Sequence, residues 1–259
     1  MTNLLCTSAL LSIFLVLFSV EQGRTFDFHL CKGVKPCETP SQSAKGMWYL
    51  TWASRSGENN RNGFFKTNHC GIFKNCNDCN CLGTYYASGD ENLYVGYSFS
   101  SNTKEKKTYV KSLQSQKVTS NNLVYYKNVV DYEAVMPYSD NGYPNGTQFE
   151  TKVVGDFYKY VLLDTDDNKS WRIILVCEDT KDICTSSQPL VMLYTKSRNP
   201  GKNTTMKAVL DSLGKNGLNA KDLALTYYDN NDCQWPNVAD FNKCKWGCSC
   251  MKVPKNLKH

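Results

Sequence analysis

Nine short runs rich in aromatic and β-branched residues follow one another between residues 47 and 197, with Gly, Asn, Asp or Ser at the joints. They are MWYLTWAS (47–54), LGTYYAS (82–88), NLYVGYSFS (92–100), KTYVKSLQ (107–114), NLVYYKNVVDYEAV (122–135), TQFETKVVG (147–155), FYKYVLLD (157–164), WRIILVC (171–177) and PLVMLYTKS (189–197). No helical pattern separates them, so the series predicts an antiparallel sandwich or an up-and-down barrel of eight or nine strands. The exception comes late. NTTMKAVLDSLGKNGLN (203–219) sets Met206, Val209, Leu210 and Leu213 on one helical face. Asn203 or Thr204 can cap its start and Gly214 or Gly217 its end. A last strand, DLALTYYD (222–229), follows.

The only long apolar run, Leu4 to Val20, stands at the N-terminus and gives way at once to polar residues, the pattern of a secretory signal peptide over residues 1–24. No later segment approaches membrane-spanning length. Of thirteen cysteines, Cys6 falls in that segment, which leaves an even set. These are Cys31, Cys37, Cys70, Cys76, Cys79, Cys81, Cys177, Cys184, Cys233, Cys244, Cys248 and Cys250. In an exported chain such a set implies disulfides whose pairing the sequence leaves open. Sequons at Asn145, Asn168 and Asn203 also point to a secreted glycoprotein. The net charge of +6 is scattered rather than gathered into a basic stripe with stacking aromatics, so nucleic acid is not an expected partner. The exported chain divides into a barrel domain, 25–232, with its helix read over 203–214, and a cysteine-rich extension, 233–259.

Gly46-Met47-Trp48 opens the first run, Thr165-Asp166 ends the seventh at a hairpin, and Arg198 follows the ninth. In this order, and with the single late helix, these residues resemble the lipocalin family. They match its first-strand Gly-x-Trp, its Thr-Asp-Tyr hairpin (Asp167 stands where tyrosine is usual) and its arginine after the eighth strand. The likeness runs in order over residues 28 to 233 and is nearest to apolipoprotein D and the insect bilin-binding proteins. It is carried by Ser197-Arg198-Asn199-Pro200, the helix, GLNAKDLALTYYDNNDC (217–233) and the ordering of Cys177 and Cys233. The resemblance implies an eight-stranded antiparallel up-and-down barrel with one C-terminal helix. It also implies that Arg198 packs over Trp48 to close the barrel floor, that Cys70 bonds Cys233, and that Cys31 or Cys37 bonds Cys177. An indole face attracts a guanidinium by on the order of 0.5–2 kcal/mol, and plugging one end leaves a cup rather than a tube. A similar passage after the ninth run occurs in plant violaxanthin de-epoxidase, a lipocalin-fold enzyme.

Strand side chains alternate, so an inward Trp48 carries Leu50 and Trp52 with it, and counting back from Arg198 turns Tyr194 and Met192 inward. Tyr126, Tyr132, Phe157 and Tyr160 complete the candidate ligand contacts. Tyrosine and tryptophan offer apolar faces with one polar handle, suited to a conjugated or steroid-like guest, although core or outer-face packing explains such residues equally well. Cys76-x-x-Cys79-x-Cys81 and Cys244-x-x-x-Cys248-x-Cys250 have spacings that zinc accepts, but an oxidising compartment favours disulfides, and no metal is assigned. His69 is the one histidine placed to ligate haem, and a surface role accounts for it more simply. No catalytic motif occurs, and a hairpin tip explains Asp164, Asp166 and Asp167.

The expectation is therefore a secreted carrier rather than an enzyme. Its guest is a small hydrophobic molecule: a bilin or carotenoid pigment, a retinoid, a steroid or a fatty acid. No cofactor is required beyond such a chromophore. The rivals are a lipocalin-fold enzyme of the de-epoxidase type, and a salivary or defensive protein acting on a host macromolecule or amine through its cysteine loops and basic tail. Oligomeric state is not legible.

Overall fold

A computed structural model describes residues 37, 40–54, 81–89, 92–120, 123–130, 133–138, 148–150, 154–155, 158–178, 190–200, 206–219, 223 and 225–235. The expected signal segment and most of the extension lie outside the described residues. So do Cys31, Cys70, Cys76, Cys79, Cys184, Cys244, Cys248, Cys250, His69, Asn145, Asn203, Tyr132 and Phe157. Among the described residues, no helix is long and apolar enough to cross a membrane.

Within these residues twelve strands make one antiparallel sheet. They are β1 (Gly46–Ala53), β2 (Cys81–Gly89), β3 (Leu93–Asn102), β4 (Lys107–Ser120), β5 (Leu123–Val130), β6 (Glu133–Pro137), β7 (Gln148–Glu150), β8 (Val154–Gly155), β9 (Tyr158–Thr165), β10 (Trp171–Glu178), β11 (Leu190–Thr195) and β12 (Thr226–Tyr227). The ladder runs β4-β3-β2-β1-β11-β10-β9-β5 and then returns, because β5 pairs both β9 and β4. Eight strands thus close into the expected barrel. The single run read over 122–135 divides: β5 pairs the second half of β4, while β6 crosses to pair its first half. The expected last strand shrinks to the two residues of β12, set against the end of β1.

Three bulges decide which side chains face inward. In β1 the register slips between Leu50 and Trp52. Thr51 is the extra residue, fully buried, with its hydroxyl donated to Leu193 O at 3.3 Å. In β9 Leu163 is extra, since Leu162 and Asp164 oppose the consecutive residues Ile174 and Ile173. In β2 the slip falls at Ala87, and it drives Tyr85 O so close to Gly96 that a Cβ there would sit 1.8 Å away. Only glycine fits beneath that bulge.

The wall has two buried outer faces. One, formed by Val161, Leu163, Ile173, Leu175, Val191 and Leu193, lies under helix α1 (Met206–Lys215), which presents Val209 and Leu213 to it. Leu210, expected on the buried face, is 43% exposed, because the face turns through Ser212 instead. Gly217 at φ 70° ends the helix: Leu218 N–H reaches Leu213 O at 2.9 Å and Gly217 N–H reaches Gly214 O at 3.0 Å, while Leu218 joins Leu213 in the core. The second outer face gathers Tyr85, Tyr97, Phe99 and Val110 under Cys233 and Trp235. Trp235 meets Tyr49 edge to face at 5.1 Å, and Gln234 O accepts from Ser101 and Thr108. The segment from Cys233 to Trp235 therefore packs against the outside of the barrel wall.

Cys233 bonds Cys81, not Cys70 as the resemblance implied. The outward first residue of β2 is where residues 230–235 cross the wall, and the two Cα atoms are 5.8 Å apart. Peptide mapping without reduction should recover Cys81 linked to Cys233. Replacing both by Ser should lower the urea-unfolding free energy by about 2–4 kcal/mol, with the fold retained.

Candidate ligand-binding interior

The end of the barrel at the start of β1 is built from the N-terminal segment and the β9–β10 hairpin. Asp167 and Asn168 at the hairpin tip adopt left-handed backbone, at φ 64° and 58°, which short polar side chains tolerate. Aspartate and asparagine suit these two positions for that reason. The Asp167 carboxylate accepts from Ser41 N–H at 2.7 Å, Ser41 Oγ at 2.7 Å and Gln42 N–H at 3.1 Å, so it ties the entering chain to the tip. Asn168 Nδ2 donates to Gln42 O at 2.7 Å, and the residue is 1% exposed. The Asn168 side-chain nitrogen that its sequon offers to a sugar is thus bonded and buried in this fold. Two residues on, Ala44 O accepts from Trp48 Nε1 at 2.6 Å. The indole lies fully buried across this floor.

Which cation covers that indole differs from expectation. Arg172 and Lys196 do, with Cζ 5.5 Å and Nζ 5.0 Å from the ring centroid. Arg198 does not. Its guanidinium donates to the carbonyls of Asn230 (2.6 Å), Asn231 (2.9 Å) and Cys233, on the outside of the wall. Carbonyl acceptors win because each bond to a charged donor is worth roughly 1.5–3 kcal/mol, against about 0.5–2 for one ring. Asn230, fully buried, completes the clamp by donating to Leu50 O and Arg198 O, both at 3.1 Å.

Ring closure and the bulges place Trp48, Leu50, Leu82, Val176, Met192 and Tyr194 together on the inner face. Tyr160 packs against the same cluster, and Tyr126 joins it through its pairing with Tyr160 and a 5.6 Å ring contact to Tyr94. Of the sequence-predicted contacts, then, Tyr126, Tyr160, Met192 and Tyr194 share the interior with Trp48. Trp52 does not. The bulge at Thr51 turns it outward, against Tyr227 and the helix-covered core.

Sequence reasoning missed Arg172, Tyr86 and Tyr94. Arg172 lies between the outward Trp171 and Ile173, opposite Tyr194 on β11, and its Cζ is 5.7 Å from the Tyr86 ring and 5.9 Å from the Tyr94 ring. A cation in a run otherwise apolar on both faces was the available signal. Tyr86 and Tyr94 were ambiguous, since Tyr85 and Tyr97 in the same runs hold the opposite phase. Burial pushes the Tyr194 hydroxyl well above the ordinary tyrosine range, Tyr86 adds to this, and Arg172 opposes it. Burial likewise raises Tyr126, with Tyr94 contributing. Both are neutral phenols at physiological pH, able to donate but carrying no charge.

No family model matches the chain, and no curated protein matches its sequence. Among solved structures it is similar to a biogenic amine-binding protein, at 15% identity over 86% of this chain and 97% of that one, TM-score 0.50. The amine binding protein of Rhodnius prolixus, solved with tryptamine, matches at 16% identity over 87% and 97%, TM-score 0.49. The siderocalin Ex-FABP matches at 15% identity over 75% and 94%, TM-score 0.40. At these identities the likeness is one of fold, the lipocalin barrel.

The hairpin carboxylates give a pH signature. Burial raises the Asp166 carboxyl, but bonds from Ser170 Oγ, Ser170 N–H and Trp171 N–H outweigh it and hold the group below the usual range. A depressed folded-state value stabilises above the unfolded value, about 3.9, and the gain is lost as pH falls through the folded one. Asp166→Ala should therefore lower stability by about 1 kcal/mol at pH 7 and by progressively less below pH 4, as read by thermal melts across pH.

Proposed function

We propose that this lipocalin-fold chain is a secreted carrier that binds one small hydrophobic molecule inside the barrel and transports or sequesters it. One observation supports this most directly. Tyr86, Tyr126, Tyr160 and Ile174 belong to the inward-facing set, yet each is only half-buried. An inward side chain of a closed ring that keeps solvent exposure borders open interior space, and an eight-stranded barrel is wide enough for one small guest. The border is apolar and aromatic, so burial at about 25 cal/mol per Å² would supply most of the affinity, with a few polar groups setting orientation. The Cys81–Cys233 bond fits an oxidising, extracellular setting.

The fold's bottom is tied by carboxylate, amide and indole hydrogen bonds, and none of these groups is arranged for turnover. Asp166 and Asp167 are saturated by the hairpin and by the entering chain. Carriage explains the interior more fully than catalysis does.

Titration with the neutral fluorophore N-phenyl-1-naphthylamine tests the reading. The folded protein should take up one molecule per chain with a dissociation constant at or below about 10 μM. Ile174→Trp, which enlarges an inward and half-buried side chain, should weaken uptake by about tenfold or more while the circular dichroism stays unchanged. Leu210→Trp, on the exposed side of the helix, should have no effect. Absence of saturable uptake by the folded wild type would remove the proposal.

A further inference from the structure

The interior holds one group that a purely apolar cup has no use for. Arg172 is 5% exposed, and among the described residues its Nε has no hydrogen-bond acceptor and no carboxylate comes within ion-pair distance. Three rings surround it, those of Trp48, Tyr86 and Tyr94, at 5.5, 5.7 and 5.9 Å. Ring faces attract the charge but accept none of the five N–H bonds in the plane of the guanidinium. A buried charge whose Nε lacks an acceptor is costly, and arginine cannot escape the cost by losing its proton. The nearby phenols do not neutralise it either, since burial keeps Tyr126 and Tyr194 in the neutral form. Lys196, with its ammonium over the Trp48 ring, adds a second positive charge at this end of the barrel.

We propose that Arg172 is a head-group site for an anion, specifically the carboxylate of an otherwise hydrophobic guest. A carboxylate offers two coplanar oxygens to the planar fork of the guanidinium, as a phosphate also does, and it is the single-charge anion that small hydrophobic acids and pigments carry. This narrows the ligand class. Fatty acids, retinoid acids and bilins, whose propionate chains end in carboxylates, satisfy the group. Carotenoids and neutral steroids leave it bare, and a protonated amine meets two like charges and no partner.

The inference rests on the carrier reading, and the experiment separates the two. cis-Parinaric acid and its methyl ester share one fluorescent chain and differ at the head alone. At neutral pH the wild type should bind the acid about tenfold or more tightly than the ester. Arg172→Met should bring the two within about twofold by weakening the acid, with ester binding kept, and Arg172→Lys should restore part of the preference. Equal affinity of acid and ester for the wild type would show Arg172 to be a floor plug only, overturning the anion site while leaving the carrier intact. An acid preference that survives in Arg172→Met overturns the assignment to this residue. Failure of acid, ester and the neutral naphthylamine alike would overturn the carrier reading, and this inference with it. The comparison within the wild type decides the matter even where a variant does not fold.

Discussion

A strand in a closed ring has one inner face, and β1 cannot keep to it. Trp48 and Leu50 point inward at the floor, whereas Trp52 packs outward under the helix, and both demands are met only because Thr51 is inserted between them. The insertion is stabilised on both sides of the backbone. The Thr51 hydroxyl bonds Leu193 O, and Thr51 O accepts from Tyr228 N–H at 2.8 Å, which draws the C-terminal segment onto the wall. From that attachment follow the Asn230 clamp, the placement of Cys233 beside Cys81 and the cover over Tyr49. One extra residue thus sets the floor, the helix face and the route of the chain after it.

At one end of the barrel Arg172 takes the place over Trp48 that the motif pattern assigned to Arg198. Each went where its hydrogen-bonding capacity was best met. Residues 230–233 present three carbonyls to the outside of the wall, and Arg198, three residues beyond β11, reaches all of them. Arg172 is fixed by strand alternation, with outward Trp171 and Ile173 on either side, and its guanidinium stands among the rings of Trp48, Tyr86 and Tyr94. A saturated guanidinium is a structural clamp, and an unsaturated one in a low-dielectric interior is a binding group awaiting a partner.

The sequence made much of the fold legible because alternation and turn chemistry act locally. β1, β3, β9, β10 and β11 fall within a few residues of their runs, and the helix runs from Met206 to Lys215 with Gly217 at its end. Bulges were not legible: Thr51 lies inside an uninterrupted strand-like run, and its insertion is settled by what β11 and Tyr228 demand from either side. Trp52 was misplaced for that reason alone. Disulfide choice was equally hidden, because Cys81 and Cys233 are 152 residues apart and meet only through the C-terminal crossing. The interior tyrosines depended on ring closure. Tyr126 and Tyr160 face each other at the seam where β5 meets β9, a pairing between strands that are not consecutive in the chain.

The depth of Arg172 has a consequence for how a guest would lie. The residue is second in β10, directly after the hairpin that Asp167 fastens to the entering chain, so its charge sits near the floor rather than at the end where β1 stops and β2 begins. A carboxylate drawn there goes in first, and the hydrocarbon behind it runs along the half-buried inner side chains of Ile174, Tyr160 and Tyr126. Head-down entry places the costly desolvation of the anion where the rings of Trp48, Tyr86 and Tyr94 already surround the guanidinium. It also leaves the pair poorly screened by salt, unlike a contact at the rim. The same arrangement that makes Arg172 expensive in the empty barrel is what lets one carboxylate fix both the identity and the direction of the guest.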